Sequence, residues 1–227
     1  MTLHIEGSGP AIVVLQGGPG LSSRSVAPIA ELLAENFRVI RFDHTGWTVA
    51  DVLDQLEAAR MEAGEESWFV LGHSWGAAMA TLYAQSYPER VRGLLFAHPL
   101  EISSAFCDRT GDLSCGGEDL FALEHDADVA EMLWEDLEAV CPDATEEGYD
   151  LAPVVRKIAA PTLVLLGEHD SIDHRSGQLW AELTNGHLVT LRGAGHWSFL
   201  EQPDEFAQAT TEFLLAHGVR RAMVAAG

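Results

Sequence analysis

Basic residues are scarce in this chain: 13 Lys and Arg stand against 35 Asp and Glu in 227 residues, a formal net charge of −22. So acidic a surface repels phosphate backbones, which excludes nucleic acid as an expected partner. Cysteine is sparser still. Cys107, Cys115 and Cys141 cannot all pair within one chain, and their spacing gives no CxxC zinc pattern. They read as free thiols of a reducing cytoplasm, with a Cys107–Cys115 bridge as the alternative. No apolar run is long enough to span a bilayer, and there is no internal repeat or low-complexity tail. The opening residues, MTLHIEGSGP, lack the basic start and apolar core of a secretory signal. The expectation is a cytoplasmic protein without membrane contact, and the sequence is silent on oligomeric state.

What is present is an apolar share of 47%, ample for the core of one large α/β domain. Short β-branched or aromatic runs bounded by turn residues predict buried strands at 11–16, 37–42, 67–72, 91–97 and 161–167, with a sixth at 187–191. Helical patterns alternate with them. Val26, Ile29, Leu32 and Leu33 share one face after Ser25. Val49, Val52, Leu53 and Leu56 do so after Thr48, an N-cap with Asp51 three residues on. Pro203 opens a last helix that carries Phe206, Phe213 and Leu214 and closes at Gly218. Strands alternating with helices predict an α/β fold: a mostly parallel, doubly wound sheet covered on both faces.

The alternation breaks once, over 98–155. That stretch holds sixteen acids and a single base, Arg109, while the rest of the chain carries only −7. Val129, Met132, Leu133, Leu137 and Val140 form a helical stripe within it. The reading is a core of 1–97 and 156–227 with a small, acidic, mainly helical lid, 98–155, on the carboxyl edge of the sheet, where open α/β sheets bind ligands.

The stretch VLGHSWGAAMA (70–80) runs from a strand into a helix through Gly72-His73-Ser74-Trp75-Gly76. A Gly-x-Ser-x-Gly match is weak by itself. Between a buried strand and a helix it gains weight, because such a serine sits on a tight turn with its hydroxyl above the sheet. A hydroxyl needs a base. His196, in GAGHWSF after the last strand, reaches the same rim; His73 is expected to face away, and His98, at the end of 91–97, to line the pocket. The base needs a carboxylate. Asp170, three residues past Gly167, is the first choice, with Glu168, Asp173 and Glu101 as fallbacks. The order Ser74, Asp170, His196 is hard to obtain by chance. Oxyanion donors are expected from the loop LQGGPGLSS (15–23) and from the amide of Trp75. Trp75 and Trp197 are the aromatic pocket candidates, with Phe106, Phe121 and Trp134 behind them.

With these residues in view, the chain resembles an α/β-hydrolase over nearly its whole length, and within that superfamily the prolyl iminopeptidase-like members. Their pattern has His-Gly-Gly-Pro-Gly before the first helix, Gly-x-Ser-Trp-Gly at the elbow and a helix continuing like LYAQSYPERV. The resemblance implies a triad of Ser74, Asp170 and His196, an oxyanion hole of the Gly18 and Trp75 amides, and Gln16 and Gly17 beside the substrate. There are three departures. Gln16 stands where the family has histidine. FDHTGWTVADVL is shorter than the family's Asp-Gln-Arg-Gly-x-Gly-x-Ser stretch and lacks its basic residue. The insertion is also smaller than a full peptidase lid. Family lid carboxylates hold a substrate's amino terminus; Glu101, Glu118, Asp119 and Glu124 could do so here, or form a solvated face.

These readings converge on a serine hydrolase that cleaves an ester, thioester or amide of a small molecule through an acyl-enzyme, with no metal or organic cofactor. Two alternatives stay beside it. The same pocket could serve lyase, cyclase or cofactor-free oxygenase chemistry, with His196 as base and Ser74 as hydrogen-bond donor. It could also capture a small ligand without turnover.

Overall fold

All five residues of Ala11–Leu15 are buried, which a strand achieves only when both faces of its sheet are covered. The computed structural model, which describes residues 1–46, 48–104 and 148–218, extends that pattern to the strands at the centre of the sheet. In chain order the strands are β1 (Leu3–Glu6), β2 (Ala11–Leu15), β3 (Arg38–Phe42), β4 (Trp68–His73), β5 (Val91–Ala97), β6 (Thr162–Gly167) and β7 (His187–Leu191). The helices are α1 (Ala27–Leu33), α2 (Val49–Glu62), α3 (Gly76–Ser86), α4 (Ala152–Val155), α5 (His174–Thr184), α6 (Ser198–Glu201) and α7 (Pro203–Gly218).

The spatial order is β1-β3-β2-β4-β5-β6-β7. All pairs are parallel except β1 with β3. β1 was not expected from the sequence: it is a four-residue edge strand whose inner two residues are exposed. Its register on β3 is tied by the Arg41–Glu6 ion pair at 2.9 Å. After β2 the chain steps to one side to form β3, then returns to form β4 on the other side. Strand order therefore reverses between β2 and β4, and the crevice outside their carboxyl ends is where such a sheet binds ligands.

Two apolar layers cover the sheet. Val52, Leu56, Met79, Tyr83 and Trp180, from α2, α3 and α5, pack one face. Ile29, Leu33, Phe206, Phe213 and Leu214, from α1 and α7, pack the other. The predicted cap of α2 forms a reciprocal box, in which the Thr48 hydroxyl accepts from the Asp51 amide and the Asp51 carboxylate from the Thr48 amide, each at 3.1 Å. No described helix is long and apolar enough to cross a membrane.

The segment after β5 leaves and returns at one point of the carboxyl rim. Ser103 bridges Asp150, and Leu151 donates to the Ile102 carbonyl at 2.8 Å. Leu151, Val154 and Val155 are already buried in the core, so core packing resumes before 156. The interior of the expected lid, with all three cysteines, the 129–140 stripe, Phe106, Phe121, Trp134, Glu118, Asp119 and Glu124, lies outside the described residues.

Candidate active site

From Ser67 to Ala84 every residue is buried except Ser74. Sequence dictates this isolation. Ser74 has φ 52°, a left-handed conformation that turns its side chain out of the strand direction. Its amide donates to the Ala97 carbonyl at 3.0 Å, and its carbonyl accepts from Ala77 at 2.9 Å and Leu100 at 3.3 Å. The flanking glycines are there for room. A Cβ on Gly72 would lie 2.3 Å from the Gly76 carbonyl oxygen, and one on Gly76 would lie 2.7 Å from the backbone oxygens of Leu15 and Gln16. The elbow thus presses on the end of β2 and on the loop that follows. A Cβ on Gly17 would stand 3.0 Å from that of Ser74, so this loop borders the serine.

Across the rim, the loops after β6 and β7 are zipped together. Glu168 donates to the Leu191 carbonyl at 2.9 Å and His169 to that of Ala194 at 2.8 Å, and Gly167 leaves no room for a side chain against Ala194 and Gly195. This brings Asp170 to His196: Oδ1 accepts from His196 Nδ1 at 3.0 Å and from the Ile172 amide at 3.1 Å. Burial pushes the Asp170 carboxyl up. The hydrogen bonds from His196 and His98 overcome it and hold the group below the ordinary carboxylate range. Two of the three fallback acids are otherwise engaged. Glu168 accepts from the Gly193 amide at 2.9 Å, and Asp173 caps α5 through the Arg175 amide at 2.8 Å. For Glu101 the bonded group among the described residues is the backbone carbonyl, which accepts from the Tyr149 hydroxyl at 3.0 Å.

Two further histidines belong to this network. His98 was expected on the pocket wall, yet it is fully buried, at φ 50°, with both ring nitrogens engaged. Nδ1 donates to Asp170 Oδ2 at 2.6 Å, so Nε2 is the acceptor for the Ser198 hydroxyl at 2.6 Å. Burial lowers its pKa, with Asp170 opposing. His73, expected to face away from the serine, is buried, and its Nε2 donates to the His196 carbonyl at 3.1 Å. Burial, then the neighbouring His196 and His98, keep it far below the usual histidine value and therefore neutral. Sequence reasoning missed Ser198 altogether. Its only signal was a serine two residues past His196.

The expected pocket residues are packed inward. Trp197 packs at a tilt against His73 with ring centroids 4.7 Å apart and lies 5.5 Å from Phe199, inside the core. The Trp75 ring is buried near His44, at 6.4 Å, while its amide belongs to the first turn of α3, where N–H groups lack intrahelical acceptors. Gln16 is buried with neither amide atom partnered. Gly18 has φ 112°, which suits it to turning an amide out of the loop. His98, Asp170 and His196 also bring three donor atoms within 4.8 Å of one another. A metal ion there would have to displace both protons that now satisfy the carboxylate.

Comparisons with known proteins agree with this architecture. Residues 10–113 match the model of the alpha/beta hydrolase fold family. A proline iminopeptidase of Saccharolobus solfataricus is 24% identical, aligned over 93% of this chain and 86% of its own. A pyrrolizixenacetamide deacetylase of Xenorhabdus hominickii is also 24% identical, over 95% and 94%. The crystal structure of a proline iminopeptidase from Mycobacterium smegmatis superposes with a TM-score of 0.73 at 20% identity, covering 95% of this chain and 94% of that one. With its sheet order, its matched family model and relatives that align over nearly its whole length, this chain has the α/β-hydrolase fold and is similar to proline iminopeptidases.

Proposed function

We propose that this hydrolase works by acyl transfer through Ser74, Asp170 and His196. The observations that carry the reading are the isolated display of Ser74 on an elbow, whose neighbour His73 bonds the His196 carbonyl, and the Asp170–His196 hydrogen bond. With Nδ1–H donated to Asp170, the neutral His196 ring keeps its lone pair on Nε2. Nε2 takes the proton of the Ser74 hydroxyl as Oγ attacks the substrate carbonyl. The oxyanion accepts from the amides of Gly18 and Trp75. His196, its charge balanced by Asp170, then protonates the leaving group, and water repeats the sequence on the acyl-enzyme. The substrate class is an ester, thioester or amide of a small molecule, held between the core and a lid of 98–155. Relatives named as a proline iminopeptidase and a pyrrolizixenacetamide deacetylase favour the amide.

A fluorophosphonate probe tests the chemistry. The wild type should label and Ser74→Ala should not; a wild type that fails to label overturns the mechanism. p-Nitrophenyl esters of graded chain length, assayed beside a proline arylamide, then divide esterase from peptidase. Turnover that survives Ser74→Ala but not His196→Ala would transfer the site to base chemistry without a nucleophile.

A further inference from the structure

Asp170 is shared by two imidazoles. Oδ1 faces His196 at 3.0 Å; Oδ2, which that pairing leaves over, takes the shorter bond from His98, at 2.6 Å. The His98 bond continues to Ser198, and His98 and Ser198 are both wholly excluded from solvent. The arm therefore mirrors the outer one: serine, histidine and the same carboxylate, but sealed in the interior. We propose that His98, held in one tautomer by Ser198, is a positioning residue that orients Asp170 for His196 and limits how strongly that carboxylate holds a proton-bearing imidazole.

Three separate elements build this arm: the end of β5, the loop after β6 and the start of α6. His98 takes up a left-handed backbone conformation, rare outside glycine, at the residue just after β5, and its amide is anchored on the Leu165 carbonyl at 2.8 Å. Proton accounting is unambiguous for a neutral ring. One hydrogen on Nδ1 goes to the carboxylate, and the Ser198 hydrogen goes to Nε2. Besides Asp170 and Ser198, the polar groups around His98 are His196 and His73, with ring centroids at 5.6 and 6.1 Å, and the more distant Glu201 carboxylate. Burial favours the neutral form of His98 over the charged one. With both oxygens bonded the carboxylate cannot swivel, and a donor on Oδ2 draws charge away from Oδ1. Removing that donor leaves Asp170 looser and more basic. The imidazolium of His196 is then stabilised too well, and the base is lost at higher pH.

This inference rests on the acyl-transfer reading, and its test separates the two. The rate constant for fluorophosphonate labelling of Ser74 is measured against pH for the wild type, His98→Ala, His98→Asn and Ser198→Ala, with thermal melting as the check on folding. His98→Ala should label about tenfold to a hundredfold more slowly, as expected for a slightly misplaced catalytic group. Its acid limb should move up by about half to one pH unit, the size of a lost hydrogen bond to a charged group. Asn, which keeps an N–H where Nδ1 stood, should restore most of the rate. Ser198→Ala should move the limb the same way by less, and it decides the matter if His98→Ala does not fold. Folded variants with the wild-type limb overturn the proposal alone. A wild type that does not label overturns the acyl-transfer reading and takes this proposal with it.

Discussion

At the scale of single residues, the site depends on a carboxylate that is acceptor to two N–H donors at once. Asp170→Asn would present one oxygen and one NH2 group to them, so one imidazole must reverse its tautomer or break its bond. If His196 is the loser, kcat should fall by about 10⁴-fold with little change in KM, a cost typical of a mis-set catalytic imidazole. The same substitution alters acid stability in a defined direction. The folded-state pKa of Asp170 lies below its ordinary value of 3.8, so its contribution is fully present above that value and is lost as pH falls below it. Melting curves below pH 4 should therefore be flatter for Asp170→Asn than for the wild type, and equal slopes would refute the assignment. The Ser74 elbow and the Asp170–His196 pairing were legible in the sequence because these residues fall close to glycines in the loops that follow predicted strands. The His98–Ser198 bond was not. It joins residues a hundred positions apart, and only the register of β5 on β6 and the turn into α6 bring them together.

At the scale of elements, legibility followed apolar and β-branched content, so that β7 was read although only Leu191 of it is buried. Strands covered on both faces announce themselves as apolar runs, whereas β1, polar and at the edge, carries no such signal. The elbow gave itself away through its glycines, and their reasons differ enough to be tested. At Gly76 a Cβ would meet two backbone oxygens at 2.7 Å, that of Leu15 at the end of the central strand β2 and that of Gln16 just past it, and Leu15 cannot yield without moving the sheet. Gly76→Ala should cost at least 2 to 3 kcal/mol, roughly the penalty for overpacking a rigid core. At about 2–4 °C per kcal/mol for a protein of this size, the melting temperature should fall by about 5–10 °C. Labelling of Ser74 should fall further than stability alone explains. Gly64 is the control. It has φ 75° but open space around the missing Cβ, so Gly64→Ala meets only the left-handed penalty of about 1 kcal/mol. Equal losses at the two positions would mean that the elbow is not tightly packed.

At the scale of the whole molecule, two electrostatic effects pull against each other as pH falls. The chain carries −22, and self-repulsion among 35 carboxyl groups favours expansion, so added salt should raise the melting temperature at pH 7.5. Acidification relieves that repulsion only near the ordinary carboxylate range. The buried histidines respond sooner. Burial lowers His44 to about 4, and it depresses His73 and His98 as well. Folding disfavours the charged form of each, so each takes up a proton more readily when unfolded, below about 6.5. Their contribution is therefore intact above that value and drains away as pH falls toward the folded values. Net stability should decline between pH 6.5 and 5, before carboxylate titration reduces the charge. His44 is the group to isolate, since it lies outside the Asp170 network. Its ring is partly exposed, but both nitrogens are closed off from solvent and unpartnered. His44→Phe keeps an aromatic ring beside Phe42 and Trp75 and removes the proton. Between pH 6.5 and 5 the variant should lose up to about 2 kcal/mol less stability than the wild type, the linkage of one proton over that span. Denaturant titrations at fixed ionic strength measure this directly, and parallel pH slopes for the two proteins would show that His44 is free to ionise in the folded state.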